Sequence, residues 1–361
     1  MTGKLSLSAF SRAFFLFTFA LVTIRGVISG RNVEYRPTVV TNPVFFHTID
    51  VENPENRGKT EDIYCLAGDN LPLPSVSADG AALLSASTGE LIYGKSSDAF
   101  LPMASTTKIM TALTVLESGL PLSEVITVPR EAVGVEGSSI YLFEGEKITV
   151  RDLMYGLLLE SGNDAATALA IATSGSESAF VELMNEKARS LGLTRTAFKN
   201  PHGLSAEGHA TTAYELGLIT VAALKNETFS EIVATKSYST TPVSPEYPSH
   251  YFVNHNRLLR MLPGANGVKT GYTLASGRCL VSSASRDGDT YIAVTLGCRN
   301  DWKAHTEMLE FAFAGYRHIN LADKSALTFT ADGNTLENPE KLAVLVRRDS
   351  SDKLSFGVKL E

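Results

Sequence analysis

Apolar positions recur along the chain with two different periods. Two apolar runs, Ala81-Ala82-Leu83-Leu84-Ser85-Ala86-Ser87 and Leu91-Ile92-Tyr93, flank Thr88-Gly89-Glu90, the pattern of a hairpin with a glycine turn. The period then lengthens: Ile109, Ala112, Leu113 and Leu116 repeat at helical spacing, with Pro102 before them and Gly119 after. This predicts a helix from about Ala104 to Ser118. A short strand at Val125 to Val128 is followed by helical patterns at Val150 to Glu160, Asp164 to Thr173 and Glu177 to Leu191, the last stopped by Gly192. Thr212-Ala213-Tyr214-Glu215 is a capping-box signature and opens a helix to about Leu224. After it come short strands at Lys236 to Thr241, Gly267 to Thr273, Cys279 to Ala284 and Tyr291 to Leu296, the last two joined by the hairpin turn Arg286-Asp287-Gly288-Asp289. A helix from about Asp301 to Asn320 closes the series.

That order lets strands from both ends of one domain form a single antiparallel sheet with the helical block packed against it, an α+β arrangement. The domain is expected at 76–320. Before it, 30–75 is polar, holds Pro37, Pro43, Pro54, Pro72 and Pro74 and has no sustained period, which reads as a linker. After it, 321–361 is a short β-rich tail with strand patterns near Ala326 to Phe329, Leu342 to Val346 and Leu354 to Val358, too small to build a full core alone. In 1–29, Lys4 and Arg12 lie ahead of an apolar run from Ala13 to Ile24, with small residues at Ser29 and Gly30, as in an export signal. The run is short against the ~20 residues of a membrane span. Cleavage after Ser29 and retention as an N-terminal membrane anchor both stay open, and both place the rest of the chain outside the cytoplasm.

With 361 residues, 44% of them hydrophobic, the chain is long enough for a sizeable core. Its net charge of −7 is mild and mixed, with no dense basic cluster, which excludes nucleic acid as a partner. Cys65, Cys279 and Cys298 give an odd count at no metal-ligand spacing, so neither a disulfide framework nor a metal site is expected, and no cofactor is implied. Cys279 and Cys298 would be diagonal neighbours on paired strands, and a bridge between them is not expected.

Candidate chemistry starts at Ser105 and Lys108. On a helix, positions i and i+3 share a face, which brings the lysine amine within reach of the serine hydroxyl. A serine needs a base to act as a nucleophile, and a partly desolvated lysine can serve. The pattern alone is cheap: Ser350 to Lys353 repeats it in a polar tail. Two further patterns occur once each. In Ser161-Gly162-Asn163, a glycine interrupts a helix, so that Ser161 and Asn163 can face a cleft; the plainer reading is a helix junction capped by Asn163 or Asp164. In Lys269-Thr270-Gly271, read as strand, Lys269 offers a fixed positive charge, Thr270 a hydroxyl and Gly271 a place of close backbone approach; the plainer reading is an exposed strand lysine.

In the order Ser-x-x-Lys, Ser-x-Asn, Lys-Thr-Gly, the three together resemble the low-molecular-weight penicillin-binding proteins, specifically the serine D-alanyl-D-alanine carboxypeptidases of peptidase family S11. The resemblance runs from about Ala78 to Leu321 and includes Asn200-Pro201-His202-Gly203-Leu204. It implies a penicillin-binding-protein/β-lactamase-like domain and a two-step acyl transfer on peptidoglycan stem peptides ending in D-Ala-D-Ala, with β-lactams as covalent inhibitors. Ser105 would be the nucleophile, Lys108 its base, and Ser161 the proton relay to the leaving amine. Asn163 would hold the substrate amide, Lys269, Thr270 and Gly271 would line the substrate strand, and the backbone N–H groups of Ser105 and Tyr272 would form the oxyanion hole. His202 reads as a structural histidine and Arg299 as a solvated strand-end arginine. A β-lactamase-like hydrolase is disfavoured by the lack of a Glu-x-x-Leu-Asn loop and by glycine within Ser161-Gly162-Asn163. An inactive muropeptide- or β-lactam-binding module is the remaining alternative.

Overall fold

The computed structural model describes 71–322 continuously, together with strand segments at 24–28, 31–35, 63–65, 328–331, 334–337, 342–348 and 358–360; side chains are described for 71–319 and 345–348. The chain forms two compact units, Phe46–Ala314 and a second made of Met1–Phe45 with Gly315–Glu361. Residues 1–23 of the expected leader, and 36–62 and 66–70 of the expected linker, lie outside the described residues, as does the Ser350 to Lys353 repeat.

The larger unit is built on a six-stranded sheet of β1 (Ile63–Cys65), β2 (Gly80–Ser85), β3 (Leu91–Lys95), β4 (Ala265–Thr273), β5 (Gly277–Arg286) and β6 (Asp289–Leu296). Its order is β4-β5-β6-β2-β3-β1, and every pair is antiparallel. The β6–β2 pairing, with Tyr291 opposite Ser85 and Leu296 opposite Gly80, joins strands from the two ends of the unit. Between β5 and β6 a two-residue loop has φ of 52° at Asp287 and 86° at Gly288, as a primed turn demands.

Among the described residues the unit also holds eight α-helices, α1 (Lys108–Glu117), α2 (Val150–Tyr155), α3 (Asn163–Ser174), α4 (Glu177–Ser190), α5 (Ala213–Leu224), α6 (Glu227–Ala234), α7 (Leu258–Met261) and α8 (Asp301–Gly315), and the short strand pairs Val125–Thr127 with Lys147–Thr149 and Ser237–Ser239 with Tyr251–Val253. Along β6 the side chains alternate between faces. Ile292 and Val294 join the core shared with α1, α3 and α5, whereas Tyr291 meets Phe313 of α8 edge-on at 5.0 Å and Thr295 bonds His305 of α8. The sheet is therefore covered on both faces, which is why β2 is buried along its whole length and reads as a continuous apolar run. Close packing of α5 on the sheet needs Gly217, since a Cβ there would lie 2.5 Å from Leu84 Cδ1.

The structure departs from three expectations. The closing helix was expected to reach about Asn320 but stops at Gly315, and Tyr316–Ala322 is a strand paired with Leu342–Arg347. Glycine is a weak helix former, and the β-branched and aromatic residues after it suit a ladder. The capping box at α5 is half made: Thr212 Oγ1 accepts from Glu215 N at 3.1 Å, but Glu215 does not reach back. Its carboxylate accepts from the backbone N–H groups of Thr194 and Arg195 at 2.8 and 3.0 Å, tying down the loop before α5. Two stretches of the expected leader and linker are strand: Ile24–Ile28 pairs with Arg31–Tyr35 in the smaller unit, and Ile63–Cys65 is the far edge of the main sheet. In the smaller unit Val358–Leu360 also pairs with Arg31–Tyr35, and Thr328–Ala331 pairs with Asn334–Glu337.

Candidate active site

The chain enters the site through Met103, fully buried, and Ala104, whose φ of 47° is uncommon for a residue with a side chain. Residues Ala104–Thr107 form a 3-10 turn that continues into α1, where a single α-helix was expected. The cause is local: Thr106 Oγ1 donates to Met103 O at 2.5 Å and Thr107 Oγ1 to Ala104 O at 2.7 Å, so hydroxyls take carbonyls of the entering turn. Ser105 sits in this turn, part-exposed to the cleft.

Lys108 is fully buried. Its Nζ has three neighbours: Ser105 Oγ at 3.0 Å, Asn163 Oδ1 at 2.7 Å and the backbone oxygen of His202 at 2.5 Å. Burial first, and then the charge of Lys269, push its pKa well below the ordinary lysine value, against the pull of Asp164. A neutral amine has two hydrogens and one lone pair. Asn163 Oδ1 and His202 O can only accept, so they take the hydrogens and the lone pair is left facing the Ser105 hydroxyl.

Ser161 lies where α2 runs into a π-turn, Gly156–Glu160, that ends at Ser161 in a left-handed conformation, φ 65°. Such turns and such strained residues recur at functional sites. Ser161 Oγ is buried and, among the described residues, has no hydrogen-bond partner, an arrangement that ordinarily costs ~1–3 kcal/mol. Asn163 starts α3 without a side-chain cap at Gly162. Its N–H donates to Ser138 O at 2.7 Å and its amide NH2 to Glu136 O, so it ties the loop 136–142 to Lys108. Asp164, in the first turn of α3, accepts from the N–H of Ala165 at 2.9 Å, so the expected junction cap is made in part. Its carboxylate accepts from Ser139 Oγ at 2.5 Å and from the N–H groups of Ile140 and Leu142 at 3.0 and 3.2 Å, holding the same loop.

On the third side lies β4, an edge strand whose outer backbone groups pair with no other strand among the described residues. A Cβ on Gly271 would come within 3.0 Å of Ser105 N and 3.1 Å of Thr106 N, so only glycine lets this strand lie against the turn. The close approach expected at Gly271 is thus made by the protein's own turn. Thr270 is part-exposed and Tyr272 is 61% exposed beside it. Lys269 is not an exposed strand lysine: it is 1% exposed, with Nζ donating to Thr270 O at 2.9 Å. Burial lowers its pKa to about 7, against the pull of Glu160, so its charge near neutrality depends on pH and is not fixed.

The structure thus brings Ser105, Lys108 and Asn163 into direct contact and packs Gly271 on the turn. Ser161 is linked to them along the chain through Asn163, and Lys269 through its charge on Lys108. His202 touches the site through its backbone oxygen, and burial, then Lys108, lower its imidazole pKa to about 4. Arg299 is exposed just past β6. Cys279 and Cys298 are buried and free, with Cys279 Sγ 3.8 Å from Pro102 O. Among the described residues no cluster of His, Cys, Asp or Glu could hold a metal ion.

Two supports escaped the sequence reading. Gly203, φ 94°, lies under the Ser105 turn, where a Cβ would fall 2.1 Å from Ala104 O. His209, buried, bonds Thr107 Oγ1 at 2.8 Å. Neither has a local signal beyond a glycine in a turn and a lone histidine.

The family model described as D-alanyl-D-alanine carboxypeptidase, Peptidase S11, matches residues 69–300, which include every contact just described. The chain belongs to this family. It is 38% identical over 247 residues to the D-alanyl-D-alanine carboxypeptidase DacF of Bacillus subtilis (strain 168), a match covering 66% of this chain and 63% of that one. To DacC of Escherichia coli (strain K12) it is 34% identical over 262 residues, covering 70% and 64%. The matches thus span a little under two thirds of either relative. The crystal structure of the Streptomyces K15 DD-transpeptidase superposes with a TM-score of 0.64 at 34% identity, over 68% of this chain and all of that one.

Proposed function

We propose that the protein is a serine D-Ala-D-Ala carboxypeptidase that removes the terminal D-alanine from peptidoglycan stem peptides. The observation that carries this is the Lys108 amine, buried, depressed in pKa and held by two acceptors with Ser105 Oγ 3.0 Å from it, which in its neutral form turns its lone pair to that hydroxyl. In the first step Lys108 takes the Ser105 proton while Oγ attacks the carbonyl of the penultimate D-alanine. The N–H groups of Ser105 and Tyr272 receive the oxyanion, the kind of donor worth ~3 kcal/mol each. Lys108 then gives that proton up through Ser161, whose hydroxyl is otherwise unpartnered among the described residues, to the amine of the D-alanine that departs as its C–N bond breaks. Asn163 and the outer edge of β4 hold the peptide backbone, with Lys269 and Thr270 at its terminal carboxylate. Water then cleaves the ester.

A β-lactam meets the same nucleophile, opens, and stays attached, because no counterpart of a deacylating glutamate loop stands in the chain. The substrate lies outside the cytoplasm, and the leader-like 1–29 fits export of the catalytic unit, whether cleaved or kept as an anchor. Among the described residues no helix is long and apolar enough to cross a membrane.

The test is release of free D-alanine from a peptide ending in D-Ala-D-Ala, with Ser105→Ala as control. Release by the parent protein and none by the variant is expected. β-Lactam labelling without D-alanine release would replace this reading with a binding module, and rapid loss of the label would replace it with a lactamase.

A further inference from the structure

We infer that His209 is a positioning residue for acylation: through Thr107 it sets the plane of the Ala104–Ser105 peptide and so aims the Ser105 N–H at the developing oxyanion. The inference rests on the serine acyl-transfer reading above.

The geometry forms a one-way chain of hydrogen bonds. Lys199 N–H donates to His209 Nδ1 at 2.9 Å, so that nitrogen is an acceptor and the ring proton sits on Nε2. Nε2–H faces Thr107 Oγ1 at 2.8 Å and donates to it. Thr107 Oγ1 then has its own hydrogen free to donate to Ala104 O at 2.7 Å. Without a donor at Nε2, the hydroxyl could turn that hydrogen elsewhere. All three side chains are buried: His209 is 4% exposed, Thr107 0% and Ala104 2%.

Ala104 O and Ser105 N–H belong to one planar trans peptide and point opposite ways, so fixing the oxygen fixes the N–H. The oxygen is held from a second side by Gly203, where there is no room for a Cβ. This peptide follows a residue at φ 47°, a conformation that persists only where its surroundings impose it. A hydrogen bond donated to the oxygen also polarises the amide and strengthens its N–H as a donor.

The experiment measures the acylation rate constant with fluorescent penicillin for the parent, His209→Ala, His209→Gln, Thr107→Val and the His209→Ala/Thr107→Val pair, with kcat and KM on a D-Ala-D-Ala peptide and the melting temperature of each. Misaiming one oxyanion donor should slow acylation about tenfold in each of His209→Ala and Thr107→Val, with kcat falling and KM unchanged. The pair should be no slower than its slower member, because both act through one oxygen. Gln at 209 can donate to Thr107 and should restore most of the rate. If His209→Ala melts below the assay temperature because Lys199 N–H loses its partner, Thr107→Val and His209→Gln carry the test. Thr107→Val acylating at the parental rate, multiplicative losses in the pair, or a rise in KM with kcat intact would overturn the inference. Absence of labelling in the parent would instead remove the acyl-transfer reading, and this inference with it.

Discussion

Lys108 has no room for a water shell and two fixed acceptors for its hydrogens, so its protonation is set first by burial and then by the opposing charges of Lys269 and Asp164. Its pKa is lowered by Lys269, and removing that charge should raise it again. The acid limb of the acylation rate against pH should therefore move to higher pH in Lys269→Gln, even though that variant also binds substrate less well. Rates compared as a fraction of each protein's own maximum isolate the shift; no movement, or movement to lower pH, would mean that Lys269 does not tune the base. Burial, and then nearby lysine charge, lowers the pKa of His202 and His209 to about 4, so both imidazoles are neutral at neutral pH. At this scale Ser105 and Lys108 are legible in the chain because i and i+3 on one turn are neighbours whatever the fold. The third contact of Lys108, a backbone oxygen 94 positions away, carries no residue identity to read.

The elements around the site are short and irregular, and each irregularity has a residue behind it. The strand β4 lies so close to the 3-10 turn that a Cβ on residue 271 would sit 3.0 Å from Ser105 N. Gly271→Ala should push strand and turn apart, at a cost of ~1–3 kcal/mol of overpacking, and should slow acylation more than it lowers the melting temperature of a comparable buried substitution. An unchanged acylation rate would show that the approach of β4 to Ser105 is not used. Thr212→Ala offers a contrast away from the cleft. It removes the N-cap of α5 and should lower stability by ~1 kcal/mol in urea unfolding while acylation below the melting temperature is kept. The hairpin, the long helices and the β5–β6 turn were legible, because period and turn chemistry are local. The π-turn before Ser161, the short helices α6 and α7, and the strand at Tyr251–Val253 were not, since each is stabilised by contacts that periodicity does not encode. Asn254, for example, holds its segment by donating to Val233 O and Thr235 O across the chain.

In the larger unit the sheet is closed by the two ends of its sequence, and its two most buried cations lie at the cleft. That arrangement links stability to pH. Lys269 titrates at about 7 in the fold and at 10.5 in the unfolded chain, so between these values the unfolded chain carries a proton that the native protein lacks. Stability from this group should rise with pH from about 7 towards 10 and be level below 7, where both states are protonated. Urea unfolding at pH 6, 8 and 9.5 should show the rise in the parent and a flatter profile in Lys269→Met; equal profiles would contradict it. The α+β order of elements was readable from where the period changes, whereas covering of the sheet by α8 on its second face was not. His305 and Phe313 seat that helix through contacts to β5 and β6 that leave no pattern along the chain.

If Ser105 Oγ is the nucleophile of an acyl-enzyme, a β-lactam must end bound to it. Incubating the full chain with benzylpenicillin, measuring the intact mass and mapping the adduct by peptide digestion reads this out. One penicilloyl group per chain is expected, on the peptide holding Ser105 and absent from Ser105→Ala. No adduct, or an adduct on any other residue, would contradict it.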